Sequence, residues 1–323
     1  MKNIYIPSLL VIFISLMPIS AGAQNYPTKP VKIIVPFPPG GATDITGRVL
    51  AEKLQAVYGQ TFIVENKAGA SGNIGVGEVA RAAPDGYTLV VGSAQTLTIN
   101  HQIFKNVTFN PQRDLAPIVV IASVPNVLVV SNKLPVKNVQ ELIAYAKANP
   151  GKLSSGSSSI GGTPHLALEL FQLLTGTEIA HIPYKGSAPA LQDLVGGQIG
   201  MMFDNLPAAL PLMNGGQIRA LAVTTLKRTP SAPEVPTLDE SGLKGFDSQG
   251  WFALLAPAGT PAPILDKLNI EVNKIIKTAD FRERMSKLGA DVVGGSIDEF
   301  KLRMKTETER WGKVIEKANI KAD

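Results

Sequence analysis

Cysteine is absent from the 323-residue chain, histidine occurs three times, and aromatic residues make up only 6%. The first absence excludes a disulfide scaffold, a thiolate zinc site and a cysteine nucleophile. The histidines, His101, His165 and His181, have no metal-ligand spacing, and no H-E-x-x-H occurs, so no metal centre is expected. Also missing are a P-loop, the nucleophile elbow G-x-S-x-G and any S-x-x-K after the serines of 154–159. The chain carries a formal net charge of +5, but the charges are scattered and no nucleic-acid motif accompanies them. A solvated surface that mildly favours anions accounts for the surplus. No cofactor motif is present; the pattern Gly75-x-Gly77-x-x-Ala80 imitates a dinucleotide fingerprint but falls inside an expected helix.

What the chain does have is 45% hydrophobic residues, too many for a disordered protein, and 30 glycines with 24 prolines, which imply many tight turns. Its length suggests roughly two domains, at about 150 residues each. Lys2, the apolar run over 4–17, Pro18 and the small residues Ala21-Gly22-Ala23 form an export signal with cleavage expected after Ala23. The run is shorter than the roughly 20 apolar residues a spanning helix needs. A second apolar stretch, 115–130, is interrupted by Pro117, Pro125 and Asn126, and its Val and Ile content reads as strand.

Beyond Tyr26, short β-branched runs alternate with amphipathic segments. Strands are expected over 31–37, 61–65 and 87–91, with helices over 44–58 and 74–82. A second series has strands at 127–130, 153–155, 180–183, 199–203 and 219–223, and helices at 139–148, 164–174, 188–195 and 205–214. The tail reads as a strand over 250–256 and two helices. The last of these opens with the capping box Ser296/Glu299 and buries Phe300, Met304, Trp311 and Ile315. Alternation of this kind implies an α/β protein with mostly parallel sheets covered on both faces. Two such units suggest two lobes, 24–122 with 225–323 and 123–224, with crossovers over 118–130 and 223–226.

Two glycine-rich loops stand between strand ends and helix starts. The first is PFPPGGATD (36–44), in which Gly40 and Gly41 permit unusual dihedrals and Thr43 is placed as a helix cap. The second is SSGSSSIGGTPH (154–165), where Thr163 is placed as cap and Pro164 takes the first helical position. Amides left unpaired at such helix starts, added to the helix dipole, bind carboxylate or phosphate without a basic side chain. Ordinary strand-to-helix punctuation uses the same residues. Asp204 ends the strand of GQIGMMFDN at the edge where open α/β sheets bind ligands, or else caps the next helix. Tyr184, Lys185 and Gly186 stand at a corresponding edge. A hydrolase using Ser157 or Ser158 with His165 is the rival from another class, with His101 and His181 structural.

These segments, with AGASGNIG (68–75), PDGYTLVVGS (84–93), PYKGSAPALQDLVGGQI (183–199) and GWFALLAPAGTP (250–261), resemble the Bug family of periplasmic solute receptors of tripartite tricarboxylate transporters. The likeness covers the chain from Tyr26 onward, with the motifs in family order. It implies a two-lobed type II periplasmic binding protein fold, each lobe a mostly parallel sheet flanked by helices and joined by two crossing strands. It also implies a receptor, not an enzyme, that closes on a small organic anion and delivers it to membrane permease subunits, as a monomer in the periplasm. A binding module feeding a sensor kinase would look the same.

Carried over onto this chain, the resemblance points to Gly40, Gly41, Ala42, Thr43 and Asp44 in the first loop, with Phe37 at its start. In the second loop it points to Ser157, Ser158, Gly161, Thr163 and His165, with Asp204 at the floor and Tyr184 beside it. The chain departs from many relatives at Ser93-Ala94-Gln95-Thr96, the segment expected to line the variable end of the pocket, so Ser93 and Gln95 complete the candidate set.

Overall fold

The computed structural model describes residues 25–184 and 186–322. The expected export signal with its cleavage point after Ala23, and Lys185, lie outside the described residues. The chain runs β1 (Val31–Val35), α1 (Ala42–Tyr58), β2 (Phe62–Asn66), α2 (Asn73–Ala80), β3 (Thr88–Ser93), a π-helical turn over Gln95–Ile99, α3 (Asn100–Ile103), α4 (Pro111–Asp114) and the long β4 (Leu115–Ser131). It continues with α5 (Val139–Ala148), β5 (Ser154–Ser157), α6 (Thr163–Thr175), β6 (Ala180–Pro183), α7 (Ser187–Gly196), β7 (Met201–Asn205), α8 (Leu206–Asn214) and β8 (Ile218–Val223). The last part is β9 (Gln249–Pro257), α9 (Ala262–Ile276), α10 (Ala279–Lys287), β10 (Asp291–Val292) and α11 (Ile297–Lys317).

The tail thus holds three helices where the sequence pattern suggests two. Thr278 accounts for the division: its hydroxyl caps α10 by accepting from the Phe281 amide, two residues after the last residue of α9. The capping box at Ser296 and Glu299 is formed, and Phe300, Met304, Trp311 and Ile315 are buried as the helical period requires.

The strands follow the order β2-β1-β3-β9-β4-β7-β5-β6, with β8 and β10 also pairing to β4. Pairs β1–β2, β1–β3, β5–β6 and β5–β7 are parallel. The long strands β4 and β9 run antiparallel to each other, and β9 runs antiparallel to β3. Strand β4 belongs to both halves of the molecule. Its residues up to Pro125 pair with β9, and from Asn126 onward they pair with β7. The prolines expected to interrupt the stretch are absorbed: the register slips after Pro117, and Pro125 is the last residue paired to β9.

Where β4 passes between the halves, the chain returns beside it. Asn126, Thr224 and Ser248 are fully buried and bonded to one another. The Thr224 amide donates to the Asn126 carbonyl (2.9 Å), the Ser248 amide to the Thr224 carbonyl (3.0 Å), and the Asn126 amide nitrogen Nδ2 to the Ser248 carbonyl (3.2 Å). Backbone groups in a buried crossover need such partners, and the cluster supplies them.

Each half has apolar layers on both sheet faces. One set includes Leu50, Leu254 and Leu268 on one face and Val76, Trp251 and Phe300 on the other. The second set includes Leu142, Phe171 and Phe203 opposite Leu191, Met202 and Leu206. A further cluster joins α6 to α11, with Leu166 packed among Ile103, Trp311 and Ile315. Among the described residues no helix is long and apolar enough to cross a membrane.

Candidate functional site

A cleft of about 740 Å³ opens between the two halves. Gly41, Ala42 and Thr43 at the start of α1 form one wall, and Gly162, Thr163 and Pro164 at the start of α6 form another. Asn205, Pro207 and Ala208 at the start of α8 add a third. In all three helices the N-cap residue, Gly41, Gly162 or Asn205, makes no side-chain cap hydrogen bond. Thr43 and Thr163 therefore do not cap, contrary to expectation: a glycine takes the cap position and each threonine lies inside the first turn. First-turn amides without a capping oxygen turn to water or to a ligand, and three positive dipole ends meet here.

The first loop is held in shape from behind. Asp44 is buried, and its carboxylate accepts from the Gly40 amide (2.9 Å), Arg48 Nε (3.0 Å) and Asn66 Nδ2 (2.8 Å). Asn66 Nδ2 also donates to the Phe37 carbonyl (3.0 Å), which ties the end of β2 to both ends of the loop. Burial pushes the Asp44 carboxyl up, but the bonds from Arg48, Gly40 and Asn66 and the Arg48 charge outweigh it and hold the group below its ordinary value. Gly40 has φ 86°, a left-handed conformation that a side chain would strain. Gly40 and Asp44 shape the loop; Phe37, Gly41, Ala42 and Thr43 reach the cleft.

The second loop divides the same way. Ser158 and Thr163 line the cleft, while Ser157, Gly161 and His165 lie behind it. His165 Nδ1 accepts the Gly161 amide (3.0 Å), which leaves the ring proton on Nε2, 3.5 Å from Glu169 Oε1. Its ring stacks on His181, with centroids 3.8 Å apart. The partner of Ser157 is His181, not His165: Oγ lies 2.6 Å from His181 Nε2 and 3.1 Å from the Ser159 carbonyl. With Ser157 only 1% exposed and engaged on both sides, the Ser157–His165 arrangement of the hydrolase reading is not formed. Burial, reinforced by the neighbouring His165, pushes His181 down to about 4.

Ser93 and Gln95 line the cleft, where the π-helical turn begins. The turn is pinned at its start by the Ser93 amide donating to Thr96 Oγ1 (3.0 Å). Tyr184 is turned onto α7, where its hydroxyl donates to Asp193 Oδ2 (2.7 Å). Asp204 is 0% exposed and does not cap α8, because Asn205 takes that position. Its Oδ1 accepts from Ser187 Oγ (2.7 Å), and its Oδ2 has no partner among the described residues. Burial pushes its carboxyl up to about 6, against the lowering effect of the Ser187 and Asn205 bonds.

Sequence reasoning left out several lining residues. Trp251 and Phe252 come from β9 and give the cleft an apolar floor; the Trp251 indole N–H is turned away and donates to Glu307 Oε2 (2.8 Å). Pro207, Lys287 and Leu288 border the cleft from α8 and the end of α10. The Trp251 position was legible in the continuous apolar run of GWFALLAP, which reads as a strand buried on both faces; Lys287 sits in a polar helix with no local signal. Among the described residues no histidine and carboxylate group could hold a metal ion.

A two-lobed sheet sharing its long strands, with helix starts converging on a cleft between the lobes, defines a solute-binding receptor fold. The chain belongs to the tripartite tricarboxylate transporter family receptors, whose sequence profile matches residues 46–320. It is similar to Protein BugT of Bordetella pertussis, 38% identical over 97% of each chain. Among solved structures it is similar to R. palustris Rpa4515 with adipate, at 41% identity and TM-score 0.79, covering 92% of this chain and 99% of that one. MatC from Rhodopseudomonas palustris with bound malate aligns at 32% identity and TM-score 0.74, covering 90% of this chain and 100% of that one. Family and structural neighbours are receptors, not enzymes.

Proposed function

We propose that this receptor captures a small organic carboxylate in the cleft and delivers it to the permease subunits of a tripartite tricarboxylate transporter. The observation that carries the reading is the convergence of three helix N-termini without side-chain caps, at Gly41, Gly162 and Asn205, on one cleft. Such ends favour anions by roughly 0.3–1 kcal/mol each at exposed sites and by more where water is excluded. Apolar surface from Phe37 and Phe252 suits a short carbon chain between polar ends. The acids named for the two structural relatives, adipate and malate, are of this kind.

In this reading Phe37, Gly41, Ala42, Thr43, Ser93, Gln95, Ser158 and Thr163 contact the ligand. Gly40, Asp44, Ser157, Gly161, His165, Tyr184 and Asp204 hold those residues in place. The lobes are the expected ones, 24–122 with 225–323 and 123–224, with one adjustment. Ala232, Val235, Leu238 and Phe246 pack in the apolar layers of the second lobe, so we place the return crossing at Ser248 instead of 225. The protein acts in the periplasm as a monomer, after removal of residues 1–23.

Thermal unfolding of the purified protein against a panel of mono- and dicarboxylates tests the reading. An acid of the right size should raise the melting temperature by several degrees at saturating concentration. Gly41→Val is the matched control. A Cβ at Gly41 meets nothing nearer than the Pro38 carbonyl at 3.9 Å, so the variant should fold while losing the ligand-induced shift. A panel that leaves the melting temperature unmoved would sink the carboxylate reading.

A further inference from the structure

Among the described residues lining the cleft, Lys287 is the one charged side chain. It ends α10, and Leu288 beside it lines the cleft too. From there the chain touches the opposite lobe: a Cβ at Gly289 would lie 2.5 Å from Cγ of Pro207, itself a cleft residue at the start of α8. Lys287 therefore stands at a mouth of the cleft where the two lobes touch. Among the described residues its one ion-pair partner is Glu283, one turn back on the same helix, at 2.8 Å. Both side chains are largely exposed, 73% and 68%, and an exposed pair of this kind holds its lysine weakly. The ammonium is thus free to exchange Glu283 for a carboxylate arriving in the cleft.

The two glycine-rich loops contain no lysine or arginine, so the helix dipoles there can compensate one carboxylate only in part. A second carboxylate on the same ligand would find no positive charge along the apolar floor of Trp251 and Phe252. It would find one at Lys287. We infer that Lys287 is a specificity-determining residue that receives the distal carboxylate of a dicarboxylate whose first carboxylate sits on the helix starts. The inference rests on the carboxylate reading above and narrows it: the cleft distinguishes diacids from acids with one charge. Closure of the lobes over Lys287 and Pro207 would bury this ion pair and strengthen it, because an ion pair removed from solvent is screened less.

Isothermal titration at low and moderate salt with adipate and its monomethyl ester, and with succinate and its monomethyl ester, decides the matter. The wild type should bind one of the diacids at least tenfold more tightly than its monoester, with the preference weakening as salt rises. In Lys287→Met the ratio should fall to within about threefold, and Lys287→Arg should retain most of it. The lysine is exposed, so an unchanged melting temperature of the free Lys287→Met protein confirms intact folding. A ratio that survives in Lys287→Met overturns the role of Lys287 while leaving carboxylate binding intact. Failure of every diacid and every monoester to bind the wild type overturns both readings together.

Discussion

Asp44 Oδ2 accepts the Gly40 amide at 2.9 Å, so the one acid of the first glycine-rich loop is spent on folding the loop and not on the ligand. Asp44→Ala should leave the Gly40 amide and the Arg48 and Asn66 side chains without their acceptor. The expected cost is about 1–3 kcal/mol of stability, together with weakened ligand binding, since Gly41 to Thr43 would lose their fixed geometry. The pH dependence follows from a folded pKa held below the ordinary value. The contribution is fully present above about pH 4 and is lost as pH falls through the folded value. Thermal melts of both proteins between pH 3 and 7 should converge at the acid end, and a constant difference across that range would contradict the assignment.

His181 reports on the second loop through its 2.6 Å bond with Ser157. Its folded pKa of about 4 lies below the ordinary histidine value of 6.5, so between those values the unfolded chain binds more protons. Stability from this group is complete above about pH 6.5 and declines as pH falls toward about 4. After allowance for partial exposure of the ring the loss should be roughly 1–2 kcal/mol. His181→Gln keeps a donor for Ser157 and should flatten that part of the stability curve. An unaltered slope would mean that another group titrates there.

Asp204 carries the opposite sign. Its carboxyl is pushed up to about 6 by burial, so its favourable contribution is present below the ordinary carboxylate range and is lost as pH rises through about 6. Above that value a charged oxygen, Oδ2, is buried with no partner among the described residues. Asp204→Asn in the ligand-free protein should therefore gain about 1–3 kcal/mol relative to wild type at pH 8 and little at pH 4. Urea unfolding at the two pH values would measure the difference, and equal gains at both would remove the buried charge as its cause.

What the sequence disclosed was local. The helix Val139–Ala148 and the strand Ala180–Pro183 fall where the pattern puts them, because an apolar stripe, and Ile179 and Ile182 ahead of Pro183, announce them within a few residues. The two loops were legible for the same reason, since Gly, Pro, Ser and Thr cluster where a strand must turn into a helix. Relations across the fold were not. Nothing near Ser157 announces that His181, 24 positions on, supplies its partner through the parallel pairing of β5 and β6. Nor does anything near Lys287 show that the end of α10 borders a cleft built by helices from both lobes. The caps were misplaced by a residue or two because a threonine hydroxyl can satisfy a first-turn amide, whereas here glycine takes the cap position and leaves the helix start open.

Gly161 sits where the second loop meets the first lobe, and this contact makes a separate prediction about how the lobes approach. Its φ of 74° already disfavours a side chain, and a Cβ there would collide with Cδ1 of Ile103 on α3. Gly161→Ala should therefore lower stability by about 1–2 kcal/mol through backbone strain, as left-handed non-glycine residues do. It should also hold the loop away from α3 and weaken ligand binding beyond that strain. Ile103→Ala removes the colliding atom without altering the backbone at Gly161. The double variant should consequently recover a large part of the lost affinity while keeping the strain penalty, giving a coupling energy of about 0.5–3 kcal/mol, as for residues in direct contact. Titration of the four proteins with the same diacid measures that coupling. Strict additivity would show that the loop and α3 do not meet when ligand binds.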